Sequence, residues 1–303
     1  MRPLAELALA DGMDRYVALV RATPPAADIE TMRLVGDLTG QRYAEGHAPQ
    51  VARFDTFVAA PGREIALRIF DRGGEGLRPA ICYFHGGGFA FGSVESFDIV
   101  ASVQYRRLPE TDYAGAQADC DAAFAWLGRQ AGALAIDPAR IAVAGDSAGA
   151  LLALACGATA RPICQLLFYG TFAMNPDAAA YQTALDPILT TDRVRQYIAL
   201  FTRCGGLDVN PAPVDRQDLA ELPPTHIVAA EHDPLCAEAV TFAARLEQAG
   251  VPTTIHIAPG MIHGFLRAVG VSAAARAELR AAAEAIRPLL SVPASIETRK
   301  AIA

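Results

Sequence analysis

The residues best suited to chemistry stand in one short motif, Gly145-Asp146-Ser147-Ala148-Gly149. The motif follows a strand predicted over 141–144 and precedes a helix predicted over 148–158, which places Ser147 on a sharp strand-to-helix turn. A serine held there faces outward, and the N-terminus of the following helix favours developing negative charge. The pattern indicates a nucleophilic serine, and the simpler alternative is a glycine-rich turn with a helix-capping serine.

A run of glycines upstream fits the same chemistry. His85-Gly86-Gly87-Gly88-Phe89 follows an apolar strand predicted over 80–84. Glycines expose backbone N–H groups without side chains in the way, and such amides can stabilise the oxyanion of a tetrahedral intermediate. The amide of Ala148 would be a further donor. A phosphate-binding loop is the alternative, but its pattern requires a lysine that this segment does not contain.

A nucleophilic serine needs a base, and the base needs an orienting acid. Glu231 and Asp233 follow a strand predicted over 226–230, and both are placed to serve as the acid. His263 lies beside a glycine in a loop after a later strand, where a catalytic imidazole is expected. His232 and Cys236 come nearest to a zinc-binding spacing, but they form no ligand cluster, so no metal is expected.

From residue 50 onward, predicted strands alternate with predicted helices. This alternation is typical of an α/β protein with a mostly parallel sheet that is covered on both faces. The strands are predicted at 51–58, 64–70, 80–84, 99–103, 141–144, 164–169, 226–230 and 253–257, and the helices after the third strand at 112–130, 148–158, 237–249 and 273–290.

Three parts of the chain are distinguished by their patterns. Residues 1–48 have apolar residues at helical spacing, from Leu4 to Val20 and again from about 28 to 44, and are predicted to form an N-terminal helical cap segment. Residues 49–292 are predicted to form the catalytic domain, in which about 176–210 is expected to contribute to the cap. Residues 293–303 are a tail.

Composition limits the classes of protein and partner. The chain has 303 residues, of which 52% are hydrophobic and 19% charged, which excludes a disordered chain. A net charge of −7 argues against a nucleic-acid partner. The six cysteines form no CxxC pair and are expected to be buried free thiols. The N-terminus is a poor signal peptide and no segment resembles a membrane span, so a soluble, cytoplasmic protein is expected.

Together these motifs resemble the hormone-sensitive-lipase-like family of α/β-hydrolase esterases, also called bacterial family IV. The resemblance is carried by segments 85–89, 105–110, 137–150, 222–235 and 249–265. It implies an α/β-hydrolase fold with a mostly parallel eight-stranded sheet, flanking helices and a helical cap. It also implies roles for individual residues: nucleophile Ser147, acid Asp233, base His263 and oxyanion donors Gly87, Gly88 and Ala148.

By the same resemblance the expected activity is that of a serine carboxylesterase. It would hydrolyse short-to-medium acyl esters through an acyl-enzyme, with no cofactor. The alternatives are an amide or carbamate hydrolase with the same triad, or a non-catalytic small-molecule binder on the same fold. The presence of His263 favours catalysis over binding alone. Candidates for substrate contact are Phe89 and Asp146, and further pocket candidates are Phe91, Phe97, Tyr181, Leu189, Phe201 and Phe265.

The chain departs from the family pattern at two places. Gln104 replaces an aspartate that is usual before the Tyr-Arg segment. Only residues 85–98 connect the strands at 80–84 and 99–103, although a parallel crossover normally includes a helix. The covering helix is therefore expected to be absent or reduced to a turn, which would leave part of one sheet face bare. A second copy of the chain or the N-terminal helices would then cover it, so a homodimer is one expectation.

Overall fold

The computed structural model describes residues 7–23, 28, 31, 33, 51–86, 99–175, 177–179, 181, 185–209 and 212–291. Within this part of the chain an eight-stranded sheet runs in the order β1-β2-β4-β3-β5-β6-β7-β8. The pairs β1/β2 and β2/β4 are antiparallel and all other pairs are parallel. The predicted fold class is confirmed. The strands are β1 (Ala52–Ala60), β2 (Arg63–Asp71), β3 (Arg78–Phe84), β4 (Ile99–Gln104), β5 (Ile136–Asp146), β6 (Gln165–Phe168), β7 (Thr225–Ala230) and β8 (Thr253–Ala258).

Helices cover both faces of this sheet. Side chains alternate between the faces along a strand, so Cys82 and Phe84 face one layer of helices while Ile81 and Tyr83 face the other. The first layer contains α2, α3 and α6, and the second contains α1 and α7. The helices are α1 (Met13–Ala22), α2 (Tyr113–Arg129), α3 (Ala148–Ala160), α4 (Thr191–Arg203), α5 (Gly206–Val209), α6 (Cys236–Gln248) and α7 (Ala273–Ser291).

The helix that follows the predicted nucleophile is apolar all round. Every residue of α3 from 149 to 157 is buried, because the helix packs on β3, β5 and β6 on one side and on α2 on the other. A helix without a polar face is stable only in such a position. The fold therefore holds the start of α3, and the residue before it, rigidly against the sheet.

The N-terminal helix is shorter than the spacing of apolar residues predicts. The prediction begins at Leu4, whereas α1 begins at Met13 and residues 7–12 are not helical. The backbone of these residues bonds to the body of the protein instead: the Ala10 N–H donates to the Gly260 carbonyl at 3.0 Å, and the Ser272 hydroxyl donates to the Asp11 carbonyl. Most of the second predicted helix, 28–44, and the tail at 293–303 lie outside the described residues.

The bare apolar face expected beside the short connection at 85–98 is not found on the described strands. Residues 87–98 themselves lie outside the described part of the chain. On the face in question, Ile81, Tyr83 and Val100 are only 1%, 7% and 6% exposed. They belong to the same core cluster as residues of α1. The structure therefore gives no support to the argument for a homodimer, which stays a prediction.

Toward the sheet edge the same face becomes polar. The register places Arg68 opposite both Ser102 on β4 and Asp55 on β1. Arg68 and Asp55 form a two-pronged ion pair at 2.7 and 2.9 Å, and both are exposed. Gln104, next along this face, is also exposed, and Phe57 on the edge strand is an apolar exception. This part of the sheet face therefore presents mainly polar side chains to solvent.

We expect Ser272→Ala to lower the free energy of unfolding by about 1–2 kcal/mol. Ser272 is fully buried at the start of α7, where its hydroxyl donates to the Asp11 carbonyl and accepts the Ala275 N–H at 3.0 Å. The substitution removes both bonds, and urea denaturation measures the loss. The matched control is Ser291→Ala at the exposed end of the same helix, expected to change stability by less than about 0.5 kcal/mol. Equal losses from the two variants would contradict the prediction.

Candidate active site

The turn between β5 and α3 holds Ser147 in a rarely adopted backbone conformation. Its φ and ψ are 53° and −119°, outside the regions that residues with a side chain normally occupy. The Ser147 N–H donates to the Phe168 carbonyl of β6 at 2.9 Å, and its carbonyl accepts the Ala150 N–H at 3.1 Å. The neighbouring strand and the new helix thus hold the turn in place.

Two glycines of the motif are required by close backbone contacts. A Cβ atom at Gly149 would lie 2.0 Å from the Phe84 carbonyl oxygen, and one at Gly145 would lie 2.2 Å from the Gly149 oxygen. Neither distance is sterically possible, so only glycine lets α3 approach β3 and β5 this closely. This explains the spacing of glycines around Ser147.

Three predicted residues, distant in sequence, meet at the carboxyl ends of the parallel strands. The Ser147 Oγ lies 3.0 Å from the His263 Nε2, and the His263 Nδ1 lies 2.6 Å from the Asp233 Oδ2. Asp233 follows β7 and His263 follows the neighbouring β8. The second oxygen of Asp233 accepts the Leu235 N–H at 2.9 Å, and the carboxylate is fully buried. A hydroxyl, an imidazole and a carboxylate are therefore joined by one continuous chain of hydrogen bonds.

The surroundings of His263 favour its protonated form. Burial alone would lower the pKa of the imidazole, but the charge of Asp233 and its hydrogen bond outweigh burial, so the pKa is raised. The charges of Asp186 and Asp146 act in the same direction. The ring of Tyr169 packs edge-on against the imidazole, with centroids 5.0 Å apart. An imidazolium formed by taking up a proton would be stabilised here.

The other carboxylate of the loop after β7 points elsewhere. The Glu231 Oε2 accepts the Gly260 N–H at 2.6 Å, and Glu231 is exposed. Of the two sequence candidates for the acid, Asp233 is therefore the one bonded to His263. His232 bonds to the Ala8 carbonyl at 3.2 Å. Within the described ranges, no group of three or more histidine, cysteine or acidic side chains is arranged to hold a metal ion.

Asp146 links the serine turn to the start of the glycine loop. Its Oδ1 accepts hydrogen bonds from the Tyr83 hydroxyl and the Gly86 N–H, both at 2.7 Å, and its Oδ2 lies 3.4 Å from the Tyr169 hydroxyl. Its carboxylate fixes the start of this loop, and its predicted contact with substrate stays a prediction. The predicted residues Gly87, Gly88 and Phe89 lie outside the described part of the chain.

The start of the glycine loop is also held from its other side. The imidazole of His85 stacks on the ring of Tyr105 at a centroid distance of 4.4 Å, and the Tyr105 hydroxyl donates to the His85 carbonyl at 2.5 Å. His85 is buried. It therefore shapes the loop rather than facing Ser147, as its position before the glycines indicates.

A cavity of about 310 Å³ opens at Ser147 and His263 and also borders on Ala148. Its walls are mainly apolar. Of the sequence candidates, Leu189 and Phe201 lie on the wall, whereas Tyr181 and Phe265 do not: Tyr181 donates to a buried glutamate, and Phe265 packs against Tyr169. The apolar side chains around the cavity include Leu151, Leu152, Ile188, Leu189, Val194 and Phe201.

Sequence analysis missed two polar residues of this region. Tyr83 lies in an apolar strand, and only its contact with Asp146 shows that its hydroxyl matters. Asp186 lies in the predicted cap segment, and its carboxylate accepts the backbone N–H of His263 at 2.6 Å. Neither residue belongs to a motif, and the Asp186-Pro187 pair is the one local signal that could have drawn attention to Asp186.

A mostly parallel sheet with serine, carboxylate and histidine in this chain order at its carboxyl edge is the arrangement of the α/β hydrolases. Comparisons with known proteins also place the chain in this class. A family described by the alpha/beta hydrolase fold matches residues 81–267. The chain is 34% identical over 274 residues to esterase LipI of Mycobacterium tuberculosis, which covers 80% of this chain and 83% of LipI. It is 36% identical over 239 residues to carboxylesterase NlhH of the same organism, covering 70% and 74%.

A solved structure extends the agreement to three dimensions. The hyperthermophilic esterase from the archaeon Pyrobaculum calidifontis superposes with a TM-score of 0.83 at 27% identity, covering 93% of this chain and 98% of that one. The chain belongs to the hormone-sensitive-lipase-like family of α/β hydrolases, and it is a carboxylic ester hydrolase. Among its described residues, no helix is long and apolar enough to span a membrane.

We expect Tyr83→Phe to lower the free energy of unfolding by about 1.5–3 kcal/mol, because it removes a buried hydrogen bond to the Asp146 carboxylate. Urea denaturation measures the change. The matched control is Tyr197→Phe, which deletes the same oxygen from a tyrosine on the cavity wall that is 50% exposed. It is expected to cost less than about 0.5 kcal/mol. A loss at Tyr83 no greater than that at Tyr197 would show that the bond to Asp146 contributes nothing.

Proposed function

We propose that the protein is a serine carboxylesterase that hydrolyses short-to-medium acyl esters through Ser147, His263 and Asp233. The observation that carries this proposal is a chain of two hydrogen bonds at the edge of an apolar cavity. The Ser147 Oγ lies 3.0 Å from the His263 Nε2, and the His263 Nδ1 lies 2.6 Å from the Asp233 Oδ2. Each group is within reach of the proton that it would accept or orient.

In the first half of the reaction, the Ser147 oxygen attacks the ester carbonyl carbon while the His263 Nε2 takes the serine proton. Asp233 accepts a hydrogen bond from the Nδ1–H, which leaves Nε2 free to act as base and stabilises the imidazolium that forms. The strained turn supports this role because it presents the hydroxyl above the sheet without further rearrangement.

The oxyanion of the tetrahedral intermediate needs hydrogen-bond donors. Ala148 begins α3, and the first amides of a helix have no partner within the helix. We assign the oxyanion to the amides of Ala148, Gly87 and Gly88, and the bond from Gly86 to Asp146 supports the assignment by fixing where the glycine loop starts. Loss of one such donor typically slows an enzyme by about 10²–10³.

In the second half, the His263 imidazolium gives its proton to the leaving alcohol oxygen, and an acyl-enzyme on Ser147 remains. Water then attacks the acyl carbon while His263 again accepts a proton, and the carboxylic acid leaves as Ser147 is reprotonated. Every proton transfer uses the same imidazole. No step requires a metal or an organic cofactor.

The size and lining of the cavity support the substrate class. About 310 Å³ is at the small end of the range for ligand sites, and the mainly apolar wall suits a hydrocarbon chain. Ile188 and Leu189 from the segment before α4, together with Val194 and Phe201 of α4, line this space. A short-to-medium acyl chain fits this space better than a long one.

A series of p-nitrophenyl esters from acetate to decanoate tests the proposal. We expect kcat/KM to be higher for butyrate to octanoate than for decanoate, and Ser147→Ala to lower it by roughly 10⁴-fold or more. A fluorophosphonate should label wild type at Ser147 and leave Ser147→Ala unlabelled, and circular dichroism checks that the variant folds. Undiminished hydrolysis by folded Ser147→Ala would contradict the proposal. Turnover of p-nitroanilides but not of esters would assign the site to amides.

The pH dependence of kcat/KM tests the base. Protonated His263 cannot accept the serine proton, so activity should fall as pH drops through its pKa, which lies above the ordinary 6.5. Asp233→Asn removes the main cause of that raised pKa and should move the acid limb to lower pH, while kcat falls by about 10⁴.

The matched control for this profile is Glu231→Gln, in the same loop but directed away from the imidazole. It should leave the acid limb in place. If the acid limb moves with Glu231→Gln, or stays fixed in Asp233→Asn, the assignment of the orienting role to Asp233 is contradicted.

A further inference from the structure

A buried carboxylate outside the proposed triad joins the cap segment to the base. Asp186 lies between β6 and α4 and is only 7% exposed. Its Oδ2 accepts the backbone N–H of His263 at 2.6 Å, and its Oδ1 accepts the N–H groups of Ile188 and Leu189, both at 2.8 Å. One side chain thus connects two parts of the chain that are 77 residues apart.

The three partners of Asp186 are all donors. A carboxylate offers only acceptor lone pairs, so it matches three N–H groups that approach from two sides. An asparagine could direct its oxygen to one side only, and its NH₂ group would then face a donor on the other. The arrangement therefore requires a carboxylate, and the three bonds offset the cost of burying it.

Asp186 also affects the protonation of His263. The groups that face His263 are the carboxylates of Asp233, Asp186 and Asp146, with the Ser147 hydroxyl and the ring of Tyr169. The negative charge of Asp186 favours the imidazolium and so raises the pKa of His263. Burial and the nearby charge of Asp233 raise the pKa of Asp186 itself to about 6, so Asp186 is mainly ionised at neutral pH.

The bonds of Asp186 connect the cavity wall with the base. Ile188 and Leu189 line the cavity, and the N–H groups that hold them in place share a carboxylate with the backbone of His263. An acyl chain that packs on these two side chains would therefore contact the segment to which the backbone of His263 is bonded through Asp186.

We propose that Asp186 is a positioning residue that anchors the His263 loop to the substrate-binding wall and keeps the imidazole aligned with Ser147. The proposal rests on the proposed function, because alignment matters only if His263 is the base. Asp186 touches no reacting atom and acts on the reaction through the position of His263.

The test compares three variants. Asp186→Asn removes the negative charge and places the side-chain NH₂ group, a donor, opposite a backbone N–H, which is also a donor. Asp186→Glu keeps the charge. The matched control is Glu238→Gln, because Glu238 is 5% exposed and also accepts hydrogen bonds, among them those of the Phe172 and Ala173 N–H groups and the Tyr181 hydroxyl, none of which belongs to the base loop.

Two readouts are measured on each variant. The first is the pH profile of kcat and kcat/KM with p-nitrophenyl butyrate. The second is an NMR titration of histidine-labelled protein, in which the signal of His263 is identified among the six histidines by its loss in His263→Gln. The titration reports on the imidazole whether or not the protein turns over esters.

We expect Asp186→Asn to lower kcat roughly tenfold to a hundredfold, since a small misplacement of a catalytic group has an effect of this size. The acid limb and the NMR titration of His263 should both move to lower pH, because a charge that favours the imidazolium is gone. Asp186→Glu, which keeps the negative charge, should return the midpoint of the His263 titration to its wild-type pH. Glu238→Gln should lose stability, but the titration of His263 should stay in place.

The proposal is overturned if Asp186→Asn keeps kcat within about twofold of wild type and leaves the His263 titration unmoved. It is also overturned if Glu238→Gln shifts the titration equally, since the effect would then be a general result of losing a buried carboxylate. A wild type without Ser147-dependent hydrolysis would refute the proposed function instead, and the NMR titrations would still decide whether Asp186 fixes His263.

Discussion

The close contact between α3 and the sheet is the constraint on which the site depends. Gly149 packs against the Phe84 carbonyl of β3, where no side chain would fit, and this contact sets the start of α3 directly above the strand ends. Ser147 must therefore turn the chain within one residue, at a φ of 53°. The cost of that conformation is offset by the buried packing of α3 and by the hydrogen bond from Ser147 to β6.

Carboxylates connect the other parts of the site to this turn. Asp146 fixes the start of the glycine loop, Asp233 orients the imidazole, and Asp186 holds the backbone behind it. Each of the three accepts at least one backbone N–H, which is how a buried negative charge is tolerated. Their shared consequence is a negative environment around His263 that stabilises the imidazolium.

The sequence alone predicts the parts that depend on local patterns. The strand and helix alternation predicts the sheet, and the chain order of Ser147, Asp233 and His263 after successive strands indicates residues that the structure brings within hydrogen-bond distance. The role of Asp186 could not be predicted, because it depends on which donors meet one carboxylate after folding. The start of α1 was misplaced for a similar reason: the backbone near Ala10 bonds to Gly260, a partner far along the chain.

Toward β1, the face of the sheet beside the short connection between β3 and β4 carries polar side chains. A parallel strand with apolar residues on both faces needs a cover, and the family usually supplies a helix there. In this chain Arg68 and Asp55 bond to each other on that face beside Ser102, and water can solvate them. The described start of the connection, at Gly86, is fixed by its hydrogen bond to Asp146. Asp146 immediately precedes Ser147, so the residue beside the strained serine turn also fixes Gly86, the point at which the segment of glycines begins.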